Sequence, residues 1–180
     1  MASLAGTILA GCGPLVLVTN ENVREYDPSY VVSMKNHGGM AVNVIGNPTT
    51  LPDAQARRAV VSQLSAPPHS GEMPVYDAGD RSDSYRLVIA FDRVSWGRAG
   101  LCAKDTAQFR PRPTGPSIVV DAAFCLHDSV ISEVRLEFAR VAPDHPDFRH
   151  AMRRVVMHLL PPNKSPDGDC PGGCGTGTRI

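Results

Sequence analysis

The feature that most constrains this chain is a set of three runs between residues 85 and 139 in which every second side chain shares one character. In the first, Tyr85, Leu87, Ile89 and Phe91 alternate with Arg86, Val88, Ala90 and Asp92. In the second, Ile118, Val120, Ala122, Phe124 and Leu126 alternate with Val119, Asp121, Ala123, Cys125 and His127. The third runs from Val130 to Ala139, with Val134, Leu136 and Phe138 against Glu133, Arg135 and Glu137. A period of two places alternate side chains on opposite faces of an extended chain, so each run predicts a β-strand. His127-Asp128-Ser129 reads as the turn between the last two. The polar partners in the third run predict a sheet with one covered face and one wet face.

Elements before and after these runs complete the layers. Tyr30 to Lys35 and Met40 to Ile45 both have β-branched, alternating character, and Asn36-His37-Gly38-Gly39 lies between them. That pattern predicts a hairpin, because glycines supply the positive φ of a tight turn. Leu51 to Leu64 reads as a helix with Pro52 in its first turn, Ala54, Val60, Val61 and Leu64 on its apolar face, and Arg57 and Arg58 toward water. Asp144 to Leu160 reads as a second helix. Asp144 is its expected N-cap, Phe148, Ala151, Met152, Val155 and Leu159 form its stripe, and Pro161-Pro162 stops it. The order β-β-α-β-β-β-α implies an α+β two-layer sandwich, an antiparallel sheet of about five strands with two helices on one face. A chain of 180 residues suits a single domain, expected over 30–162, with 13–29 as a tether and 163–180 as a disordered tail.

Charge narrows the partners. Eighteen basic residues balance eighteen acidic ones, so no global field draws the chain to nucleic acid. Aromatic residues make up 6% of the chain, too few for a base-stacking platform. No nucleic-acid partner is expected.

The start of the chain is uncharged through Val18 and contains Leu9-Ala10-Gly11-Cys12. This tetrapeptide resembles the bacterial lipobox, in which small residues precede a cysteine that takes a diacylglycerol and becomes the new N-terminus. It predicts lipidation at Cys12 and a signal segment over 1–12. No Lys or Arg precedes Cys12, although a secretory signal usually carries one. The apolar Leu15-Val16-Leu17-Val18 that follows leaves two other readings open: a first strand, or an uncleaved anchor over 1–18. Setting Cys12 aside leaves Cys102, Cys125, Cys170 and Cys174, an even number that an oxidising compartment favours. The expected pairs are Cys102–Cys125 and Cys170–Cys174. Four reduced thiols in a cytosolic protein are the alternative.

Few residues promise chemistry. His37-Gly38-Gly39 looks like a Gly-rich oxyanion loop, but such a loop needs a Gly-x-Ser-x-Gly elbow that the chain lacks. Cys125 and His127 lie two apart on a strand and so share a face. They suit a thiol- or metal-dependent hydrolase, against the plainer reading of a disulfide beside a turn histidine. Cys170 and Cys174 supply two thiolates and no neighbouring histidine, short of a structural zinc site. Asp77, Asp80 and Asp83 lack the alternation of a calcium loop. Arg149, His150, Arg153, Arg154 and His158 form a basic helix face, either solvated or turned toward anionic lipid headgroups. No cofactor and no metal are expected.

The segments Val42-Asn43-Val44-Ile45-Gly46-Asn47-Pro48, Tyr85 to Phe91 and Ala122-Ala123-Phe124-Cys125, with Asp144 to Pro162, resemble a group of small proteobacterial lipoproteins of unknown function. The resemblance covers residues from about 30 to 162. It implies a location and a fold, with no catalytic residue attached. The expectation is a bacterial envelope protein facing the periplasm, held to a membrane by its N-terminal lipid, and acting as a binding or assembly module for an envelope partner.

Overall fold

The computed structural model describes residues 16–23, 26–79, 84–94, 98–103, 110–111 and 115–163. Cys12, Cys170, Cys174, Asp80 and Asp83 lie outside them, as do residues 1–12, where a signal segment is expected, and all but the first residue of the expected tail 163–180. In chain order the regular elements are β1 (Leu17–Val23), α1 (Ser29–Asn36), β2 (Met40–Ile45), α2 (Asp53–Val61), β3 (Val75–Asp77), β4 (Tyr85–Phe91), β5 (Arg93–Val94), β6 (Arg110–Pro111), β7 (Ser117–Leu126), β8 (Ser129–Ala139) and α3 (Pro146–Leu159). Six strands form one mixed sheet in the order β1-β8-β7-β4-β2-β3, and β5 pairs with β6 alone. The class is the expected α+β, with the three helices of the described residues on one face of the sheet.

The alternating runs behave as their period dictates. Leu87, Ile89, Phe91, Ile118, Val120, Ala122, Phe124, Val134, Leu136 and Phe138 all enter the main core. The stripe of α3 closes over them: Phe148 stacks on Phe91 at 6.0 Å between ring centroids and meets Phe138 edge-on at 5.7 Å. Ser132 Oγ donates to the carbonyl of Leu159 at 2.6 Å, tying the last turn of α3 to β8. The N-cap of this helix is His145, whose Nδ1 accepts from the backbone N–H of Asp147 at 3.2 Å, so the cap lies one residue beyond the expected Asp144.

The first half of the chain departs from the sequence reading in three places. Residues 30–35 form α1 in place of a strand. Asp27-Pro28-Ser29 starts the helix: Asp27 Oδ1 accepts from the N–H of Ser29 at 2.9 Å, and Asp27 O accepts from the N–H of Tyr30. Val31 and Met34, three apart, are the buried pair, a helical spacing hidden among β-branched neighbours. Gly38 and Gly39 have positive φ, as expected, but they end a helix: Gly39 N–H returns to Met34 O at 3.0 Å. A Cβ on Gly39 would collide with Pro74, whose carbonyl accepts from Met40 where β2 meets β3.

The sheet is also mixed where it was expected to be antiparallel. β2 runs parallel to both β4 and β3. The connection from β2 to β3 passes through α2, and a helical crossover returns the chain to the same end of the sheet. Finally, the span read as a tether over 13–29 supplies β1, which pairs antiparallel with β8 from Leu17↔Glu137 to Val23↔Ser132. Of the readings open for Leu15 to Val18, the first strand is the one observed from Leu17 onward. α2 is shorter than expected and buries Ala56 and Val60, while Ala54 is exposed; the side chain of Arg57 reaches Asp77 at 3.8 Å.

Candidate functional site

Two places in the fold carry unusual side chains. The first is the face of the sheet opposite the helices, which was expected to be wet. Val88, Ala90, Leu101, Cys102, Ala123 and Cys125 form a second buried cluster there. A short 3-10 turn, Arg98–Cys102, lies across β7 and β8 and covers them. Cys102 and Cys125 are disulfide-bonded and fully buried. Arg86, buried beside them, donates to the carbonyl of Cys102 at 2.6 Å. Farther along the face Arg135 makes a two-pronged ion pair with buried Asp121, and that carboxylate beside the guanidinium raises the Arg135 pKa above its ordinary value. The expected pairing of Cys102 with Cys125 is thus present.

It also bears on the Cys125–His127 pair. The sulfur of Cys125 is committed to Cys102 and offers no thiolate. His127 is exposed in the β7–β8 turn, with φ of 53° and its N–H donating to Ser84 O at 2.7 Å. Its role is that of a turn residue. Among the described residues, no group of three or more His, Cys, Asp or Glu side chains is placed to hold a metal ion. Asp77, the described member of the acidic trio, is engaged by Arg57 and by the N–H of Gly79 at 2.9 Å. His37 bonds back to Ser33 O at 2.7 Å, as the residue that leaves α1.

The second place is a groove of about 690 Å³ at the end of the sandwich where β2 and β8 both finish. The β2–α2 connection supplies one wall, Asn47 to Leu51, and the β8–α3 connection supplies the other, Arg140 to Asp144. Asn47 organises the first wall. Its Oδ1 accepts from the N–H and the hydroxyl of Thr49 at 2.9 and 2.8 Å; its Nδ2 donates to Leu51 O and Asp53 Oδ1 at 2.7 and 2.9 Å. Thr49 Oγ1 in turn accepts from the N–H of Leu51 at 3.0 Å. Two of these ties fix the backbone of Leu51, which is 41% exposed.

The opposite wall is held as firmly. Arg140 donates to Gly115 O, Ser117 O and Asp92 Oδ2 at 2.9, 2.9 and 2.7 Å. Asp92 sits at φ of 47° and uses Oδ1 to accept from the N–H of Val119 at 3.1 Å. With the guanidinium occupied below, what the groove presents is Val141, Ala142, Pro143, Pro48 and Leu51, with Asp144 at the rim. An apolar trough between two stiff loops suits the docking of an apolar group, since little side-chain freedom is lost on contact. The sequence signal for it was Asn47-Pro48-Thr49-Thr50-Leu51-Pro52, a turn composition carrying a lone leucine.

On α3, Arg149, His150 and Arg153 are exposed; Arg149 Nε donates to Gln63 Oε1 at 3.1 Å, and Arg149 and Arg153 line a smaller depression with residues 62–68. No helix among the described residues is long and apolar enough to cross a membrane. No protein-family model, curated protein or solved structure matches the chain.

Proposed function

We propose that this chain is a lipid-anchored bacterial envelope protein, acylated at Cys12, whose α+β domain faces the periplasm as a binding module. The observation that carries the reading is the Cys102–Cys125 disulfide inside the second apolar cluster. Disulfides persist in oxidising compartments and are rare in the cytosol of mesophiles. This one, with Leu101 and the Arg86 bond to the Cys102 carbonyl, holds Arg98–Cys102 over the sheet face that carries Val88, Ala90 and Ala123. The Leu9-Ala10-Gly11-Cys12 box supplies the means of retention at a membrane. Binding is assigned to the groove between 47–51 and 140–144, because it combines apolar lining with walls fixed by hydrogen bonds.

Intact mass of the protein extracted from membranes tests the reading in one measurement. The expected species begins at Cys12, carries a diacylglyceryl group, and has Cys102 and Cys125 oxidised. Cys12→Ala is expected to leave the leader uncleaved and the acyl mass absent. A mature protein that begins at Met1, lies in the soluble extract and alkylates at both Cys102 and Cys125 would overturn it.

A further inference from the structure

We infer that the groove end of the sandwich is a bilayer-facing surface, with Leu51 entering the lipid interface. The inference rests on the lipid anchor proposed at Cys12 and commits the apolar occupant of the groove to the lipid of the membrane that holds the anchor, with the rest of the domain toward the periplasm.

The length of chain before the fold carries the argument. Leu17 already pairs with Glu137, three residues before Arg140 and the groove wall. Val16 and Val18 pack against the main core, as does Val141 of the groove. The chain therefore reaches the sheet at the groove end. Between Cys12 and Leu17 it spans at most about 18 Å, since an extended chain covers no more than about 3.6 Å per residue. From Glu137 back to Ser129, β8 extends about 27 Å away from that end at about 3.4 Å per residue. A lipid on Cys12 thus keeps the groove end near the headgroups, and the tether is too short to let the opposite end reach them.

The described residues carry one exposed large apolar side chain at each end, so the tether length is what selects between them. They are Leu51 and Val32, at 41% and 59%. Leu51 stands at the groove end on a loop locked by Asn47. Val32 stands at the other, on α1, whose Tyr30 packs against Phe124 and Tyr85 at the far ends of β7 and β4. Asp144 lines the groove, and Asp53 lies beside it through its bond from Asn47 Nδ2. These carboxylates suit the ammonium groups of a surface that contains phosphatidylethanolamine, and the test vesicles mix it with phosphatidylglycerol.

Photocrosslinking of the full lipidated chain in such vesicles tests this. A benzophenone amino acid is placed at position 51, at the neighbouring exposed position 50, or at position 32, and the vesicles are floated before irradiation. Phospholipid adducts are expected at 51 and 50 and none at 32. Adducts at neither end, or equally at both, in chain that floats with the vesicles would overturn the orientation and leave the anchor standing. Adducts from position 51 to protein would overturn it too, giving the groove a protein occupant. Chain that does not float at all would remove the anchor and this inference together.

Discussion

Asp92 does three jobs with one side chain. Its carboxylate caps the N–H of Val119, pairs with Arg140, and tolerates the left-handed φ of 47° at which β4 ends. Asp and Asn accept this region better than other non-glycine residues, because a short polar side chain can bond locally. Asp92→Ala is expected to destabilise the fold by about 3 kcal/mol, since it leaves a partly buried guanidinium without its anion and adds backbone strain. Asp92→Asn keeps the Val119 acceptor and the conformational tolerance, and is expected to cost less than half as much. Urea unfolding of the two variants checks the order; equal losses would show that the charge on Asp92 contributes nothing. Tyr26 makes the opposite case. Its ring is buried among Tyr30 and Phe124, its hydroxyl has no hydrogen-bond partner, and burial, with Asp27 nearby, pushes its pKa up to about 12. The unfolded chain ionises this group near pH 10. The folded state therefore holds the proton more tightly, and stability is full below pH 10 and falls as pH rises toward 12. Tyr26→Phe is expected to flatten that alkaline decline and to match or exceed wild-type stability at pH 7 by up to about 1 kcal/mol. A steeper decline in the variant would contradict the assignment.

Among the elements, the covering turn Arg98–Cys102 depends most on a single bond. Leu101, the disulfide and the Arg86 bond to the Cys102 carbonyl hold it to the sheet. Replacing both Cys102 and Cys125 by Ala opens a loop of 23 residues in the unfolded chain, an expected loss of about 3 kcal/mol on loop-closure grounds. Limited proteolysis of the variant should cut near residues 98–103 first; first cuts elsewhere would mean the turn is held without the disulfide. The elements also show where sequence reading succeeds. Strands β4, β7 and β8 and helix α3 were legible because their periodicity runs for seven or more residues and each buried position repeats the signal. α1 was not, because Val31 and Val32 carry a strand preference while eight residues give only two buried positions to show a helical period. The start signal Asp27-Pro28-Ser29 was present and was outweighed by the glycines at 38 and 39, which end helices as well as they turn hairpins.

For the molecule as a whole, the sheet has two covered faces of unequal depth. The helical face holds the main core, and the disulfide lies in the smaller cluster behind it. Since both sulfurs are fully buried, a reductant reaches them only when that face opens. Thiol release from native protein under excess reductant is expected to rise with urea in parallel with global unfolding. Fast release at zero denaturant, independent of urea, would mean the covering turn opens by itself.

What the sequence determined by itself is the set of faces. Alternation assigned the inward side chains of β4, β7 and β8, and the 3.6-residue stripe assigned those of α3, because each pattern is written in neighbours along the chain. An even count of cysteines made pairing an expectation, and the tertiary structure joined Cys102 to Cys125. The tertiary structure decided the rest. It recruited Leu17–Val23 as an edge strand, since pairing with β8 satisfies backbone groups that the polar sequence Thr19-Asn20-Glu21-Asn22 does not advertise. It made β2 and β3 parallel, because α2 must cross between them, and it covered the second face. It also brought residues 47–51 and 140–144 together. Nearly a hundred positions separate those two loops, and only the end-to-end register of β2, β4, β7 and β8 makes them the two walls of one groove.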